Sequence, residues 1–197
     1  MGHILVKSTK ELQNIKQLLN EDIPTYRQAY SHKTSWIMAC LSELAYIKFN
    51  EPLISKNDTK LIDSISDIID EGKLASLKKL INLFSYDHEK EKEKLIADLS
   101  ILNMKIVTTF DSNGTQAILV SNGKFYVLAF RGTEITSIAD IKADLKAQTM
   151  QCESGGKIHT GFNGAFAEVH TEIQNFIDTL EDELPLFITG HSLGGAL

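Results

Sequence analysis

Cysteine, proline and tryptophan are scarce in this sequence: two, three and one among 197 residues. Cys40 and Cys152 are too few for the disulfide framework of a small secreted scaffold, and neither has a second soft ligand at metal-site spacing. No metal and no cofactor is therefore expected, and both thiols read as buried side chains. Long hydrophobic runs are missing too. The longest, "WIMACL" and "FYVLAF", fall far short of the roughly 20 apolar residues that cross a bilayer, so no membrane-spanning helix is expected. The opening "MGHILVKSTK" has too short an apolar stretch for a secretory signal, and Val6 stands where a myristoylation signal needs Ser or Thr. These features predict a protein that is cytoplasmic or exported without a cleaved signal. Positive charge is also in short supply, 20 Lys and Arg against 26 Asp and Glu, and the net charge of −6 leaves no basic stripe for a nucleic acid. What is present is a 43% hydrophobic content, enough over this length for a single domain from 1 to 197.

The pattern of that hydrophobic content changes near residue 104. Before it the chain reads as helical: "STKELQNIKQLL" opens with Ser8 and Glu11 at capping-box spacing, and "KTSWIMACLSELAYIKF" repeats apolar residues at Trp36, Cys40, Leu44 and Ile47. Short amphipathic segments follow from Asn57 to Asn103, with Gly72 as a break and "EKEKEK" (89–94) as a solvated helix face. After Asn103 the period becomes two. "MKIVTTF", "TQAILVS" and "KFYVLAF", separated by "SNG" and "NG", predict three antiparallel strands joined by tight turns. "GFNGAFAEVHTEIQNFIDTL" places Phe162, Phe166, Val169, Ile173, Phe176 and Leu180 on one stripe, a core-facing helix, and "LFIT" after Pro185 reads as a buried strand. The order predicts an α/β or α+β sheet protein.

That last strand runs straight into Gly190-His191-Ser192-Leu193-Gly194. A G-x-S-x-G match arises by chance in about one chain in twenty of this length, so the pattern alone is weak. Behind an apolar strand and ahead of small residues it predicts a nucleophile elbow, a strained strand-to-helix turn whose flanking positions must be glycine because a Cβ there would collide with a neighbouring element. Attack on a carbonyl by Ser192 also needs preset amide donors for the developing oxyanion. Leu193, directly after the serine, supplies one. A second is expected from the end of another central strand, and "FYVLAFRGTE" ends in Arg131-Gly132-Thr133, where Gly132 permits a sharp exit and Thr133 presents its amide.

Four stretches together resemble the class 3 lipases, the α/β-hydrolase branch that includes the fungal triacylglycerol lipases: "SELAY", "VLAFRGTE", "GKIHTGFNGAF" and "ITGHSLGGAL". Their order matches that family over roughly residues 33 to 197. The resemblance implies an α/β-hydrolase fold with N-terminal helices, truncated after the elbow. It makes Ser192 the nucleophile and Thr133 and Leu193 the oxyanion residues, and sets His159 in the wall of the site and not as the general base. A lipid ester, taken from a membrane or lipid surface, is the implied partner.

Three features depart from the family. Ala139 precedes Asp140 where a tryptophan usually stands next to the aspartate of the lid. The helical stretch of about 57–103 is longer than the family's connection and reads as an insertion. Triad partners in this fold follow in chain order Ser, Asp, His, and only five residues follow Ser192. Two readings result. In the first the chain is the N-terminal portion of a serine-dependent hydrolase of acylglycerol or phospholipid esters, inactive alone. The other makes it a non-catalytic binding or inhibitory module that retains the hydrolase scaffold. A free edge on the last strand predicts self-association, pairing with a missing C-terminal segment, or disorder near residues 190–197.

Overall fold

The computed structural model describes residues 4–20, 23, 30–48, 87–112, 115–132, 149–152, 155–180 and 183–197. By its contacts the chain divides into two compact units, residues 1–46 with 96–197, and residues 47–95. Of the expected insertion, residues 57–86, with the break at Gly72, lie outside the described residues. Helix α3 spans His88–Ile101. Its start carries the acidic side chains that suit a helix N-terminus, Glu89 and Glu91, and the charge run forms Asp87–Lys90 and Glu91–Lys94 pairs at 3.0 and 3.7 Å.

The larger unit begins with helix α1, Thr9–Leu19. Ser8 accepts from the Glu11 amide at 3.2 Å, while the Glu11 carboxylate reaches back one residue further than a capping box requires, to the Lys7 amide at 2.7 Å. Helix α2, His32–Leu44, is capped by Ser31 and buries Ile37, Cys40, Leu41 and Leu44. Of the expected stripe, Cys40, Leu44 and Ile47 are buried and Trp36 is only half-buried, with Ile37 and Leu41 widening the buried face. Burial, reinforced by the Asp98 carboxylate, pushes the Cys40 thiol up to about 12, which leaves it protonated and inert at neutral pH.

Three antiparallel strands follow, β1 (Lys105–Ser112), β2 (Thr115–Ser121) and β3 (Tyr126–Phe130). The "NG" turn behaves as its residues demand: Gly123 has φ +79°, and the Asn122 side chain accepts from the amides of Lys124 and Phe125. The "SNG" turn ends outside the described residues, at 113–114. Strand β4, Thr149–Gln151, pairs with β5, Lys157–His159, in a separate two-stranded sheet too short to show periodicity in the sequence. Helix α4, Thr160–Ile177, leads to β6, Leu186–Gly190, which lies parallel to β3. The main sheet is therefore mixed, in the order β1-β2-β3-β6.

Alternation divides this sheet between two helical layers. Phe110, Ala117, Leu119, Leu128 and Phe130 meet Val169 and Ile173 of α4, with Phe166 and Phe176 packed around them. Helix α2 contacts β3 and β6, and the Thr189 hydroxyl donates to the Met38 carbonyl at 3.1 Å. Strand β3 is buried along its whole length, as expected of an inner strand covered by both layers. Strand β6 pairs only with β3 among the described residues, and Ile188 and Leu186 on it are 64% and 38% exposed. No described helix is long and apolar enough to cross a membrane.

These environments predict opposite outcomes for two similar truncations. Leu41→Ala, at a fully buried position, should cost about 2–5 kcal/mol of unfolding free energy, while Ile188→Ala should stay within about 0.5 kcal/mol. Equal losses in denaturant melts would show that Ile188 is buried in solution.

Candidate active site

The site grows from the point where β6 stops. Ser192 has φ +57°, in the left-handed region that L-residues rarely occupy and that is paid for by the surrounding structure at about 1–3 kcal/mol. The residue is exposed, at the head of a 3-10 turn, Ser192–Gly195, closed by the Gly194 amide donating to the His191 carbonyl at 3.0 Å. A serine held this way projects its hydroxyl from the turn instead of laying it along the strand.

Three glycines make that turn compatible with its neighbours. A Cβ on Gly190 would overlap the Gly194 carbonyl, and one on Gly194 would come within 2.5 Å of the Phe130 carbonyl oxygen and 2.9 Å of the Arg131 carbonyl carbon. The elbow thus rests directly on the exit of β3. Gly132 sits in that exit; a Cβ there would strike the Tyr46 hydroxyl and come within 2.5 Å of the His191 carbonyl oxygen. No flexible side chain tip lies between elbow and strand end to absorb a larger residue at 194.

Arg131 is held to the neighbouring strand. Its amide donates to the Gln116 carbonyl at 2.8 Å and its guanidinium to the Gln116 side chain, which in turn donates to Asp111 at 2.7 Å. The arginine therefore fixes the exit of β3 to β2 and hands the chain on to Gly132. Leu193, half-buried, places its amide directly after Ser192. Thr133, the other expected oxyanion residue, lies outside the described residues, as do Ala139 and Asp140.

The described histidines are engaged elsewhere. His159 caps α4: its Nδ1 accepts from the amides of Gly161 and Phe162 at 3.1 and 3.4 Å, so the ring proton is on Nε2, which is buried without a hydrogen-bond partner among the described residues. His170 is exposed on α4 with its ring against Phe166, His88 pairs with Glu89, and His32 packs on Tyr30. His191 turns its ring to Tyr46, whose hydroxyl lies 3.2 Å from its Nδ1. Among the described residues, no histidine hydrogen-bonds the Ser192 hydroxyl. Tyr46 stands in "SELAY", yet the sequence assigns it no role, since no spacing rule connects residue 46 with residue 191.

Residues 127–197 match the family model of class 3 lipases. Among solved structures, the chain is similar to the Rhizomucor miehei triacylglyceride lipase, at 19% identity and TM-score 0.47 over 86% of this chain and 54% of that one. Lipase II from Rhizopus niveus matches at 18% identity and TM-score 0.46, over 85% and 53% of the two chains. A lipase from Rhizopus microsporus var. chinensis matches at 15% and 0.41, over 89% and 57%. The chain spans about half the length of these structures. No curated protein matches it. The likeness to the class 3 lipases is carried by residues 127–197, from β3 through the elbow.

Proposed function

We propose that this chain carries the nucleophile half of a serine-dependent lipid ester hydrolase acting on acylglycerol or phospholipid esters. The observation that carries the reading is Ser192 at φ +57° on a turn whose glycines fit it against the end of β3. A serine placed merely to end a strand has no reason to accept that conformation, whereas a nucleophile needs it to clear the sheet.

In this reading the Ser192 oxygen attacks the ester carbonyl carbon, and the carbonyl electron pair moves onto oxygen, where the amides of Leu193 and Thr133 stabilise it. The C–O bond to the alcohol then breaks, the leaving oxygen takes a proton, and water later releases the acid from the acyl-serine. A base must remove the serine proton. No described histidine touches that hydroxyl, so we assign the base and its carboxylate partner to sequence beyond Leu197, in the chain order Ser, Asp, His. The exposed apolar edge of β6 supports pairing with such a segment or self-association, and the substrate is taken at a lipid surface.

Ser192→Ala, in a protein extended to include the missing Asp and His, should abolish ester hydrolysis without altering the fold. Loss of the attacking group should cost several kcal/mol of barrier at about 1.4 kcal/mol per tenfold, so activity within tenfold of the parent contradicts the assignment. A second comparison needs no substitution. Chain 1–197 should be nearly inert toward a short-chain chromogenic ester and a serine-directed phosphonate, and the extended chain should turn over and label. Equal rates in the two would place the base among the residues up to 197; inertness of both would favour a non-catalytic scaffold.

A further inference from the structure

Tyr46 lies two residues beyond α2, half-buried, with its hydroxyl 3.2 Å from His191 Nδ1 and 3.4 Å from the His191 carbonyl oxygen. The two rings meet edge-on at 5.9 Å. A hydroxyl has one proton to give. Both of these contacts are made together when it donates to the carbonyl and accepts from Nδ1–H, an arrangement that requires His191 in the tautomer that free histidine disfavours. That carbonyl also receives the Gly194 amide that closes the turn under Ser192. The same tyrosine oxygen fills the notch left by the missing side chain of Gly132.

We propose that Tyr46 is a positioning residue for the elbow: it locks His191 as the Nδ1–H tautomer and, wedged against Gly132, holds the exit of β3 against the residue that precedes Ser192. This role rests on the reading of Ser192 as nucleophile. A strained φ persists only where several contacts over-determine it, and oxyanion donors act only if fixed beforehand. Tyr46 touches both pieces that must be fixed, and it does so from just past the end of α2, a helix itself tied to β6 through Thr189 and Met38.

The test is the imidazole nitrogen spectrum of His191 in chain 1–197 labelled with nitrogen-15 at histidine, recorded above the pH where the ring is charged. The parent should show mainly Nδ1–H. Tyr46→Phe keeps the ring, removes the hydroxyl, and should return His191 mainly to Nε2–H. Gly132→Ala should do the same by expelling the tyrosine oxygen, whereas Gly164→Ala, with nothing within 4 Å of the new methyl, should leave the parent tautomer. A parent already in the Nε2–H form overturns the inference, as does a Tyr46→Phe variant that keeps Nδ1–H. If Gly132→Ala does not fold, Tyr46→Phe decides alone; if it folds and keeps Nδ1–H, the wedge is refuted. No ester is involved, so a failure of the hydrolase reading would show in the hydrolysis assays while this spectrum still reports on Tyr46.

Discussion

The approach of the elbow to the end of β3 is the constraint on which the site depends. A Cβ at Gly194 would meet backbone atoms of Phe130 and Arg131, and backbone cannot move aside as a side chain tip can. Under the hydrolase reading proposed above, that closeness is what an oxyanion site shared between the turn and the strand exit requires. It also explains why glycines occur on both sides of the contact, at 132 and at 190 and 194. Parallel pairing of β3 with β6 brings the two ends together: Phe130 pairs with Gly190, so both strands deliver their last residues to the same edge of the sheet.

The helices serve that contact from the two faces. Helix α4 packs on β1 and β2 through Val169 and Ile173, and its N-terminus is fixed by His159, a histidine spent on capping. Helix α2 holds β6 from the other side at Thr189 in mid-strand, and Tyr46, just past the helix, meets the elbow. Strand β3 sits between these layers and is buried throughout, so the strand that ends at the site is the best-supported one. Strand β6 is less protected, with Ile188 open to solvent, and it leads into the turn that holds Ser192.

Much of this was legible in the residues. Alternation and the "NG" turn gave the hairpin of β2 and β3, and the stripe from Phe162 to Leu180 marked α4, because both periods extend over many residues and leave little room for another reading. The elbow was legible because glycine at fixed offsets from serine, after an apolar strand, has few other uses. The α2 stripe holds at Cys40, Leu44 and Ile47, all buried; only Trp36 departs, large enough to look like core yet half-buried, while Ile37 and Leu41 widen the buried face. The small β4–β5 pair fell below any periodicity. Tyr46 was quoted without a role, since its partner is 145 residues away in sequence and only the fold joins them. Thr133 rests on sequence reasoning alone.

The measurement that bears most directly on the central claim is a crystal structure of the extended protein with a phosphonate bonded to Ser192. If the elbow and the strand exit form one oxyanion site, the phosphoryl oxygen will lie about 3 Å from both the Leu193 and the Thr133 amides. An oxygen turned to solvent, or a Thr133 at the opposite end of the sheet from Ser192, would contradict the account.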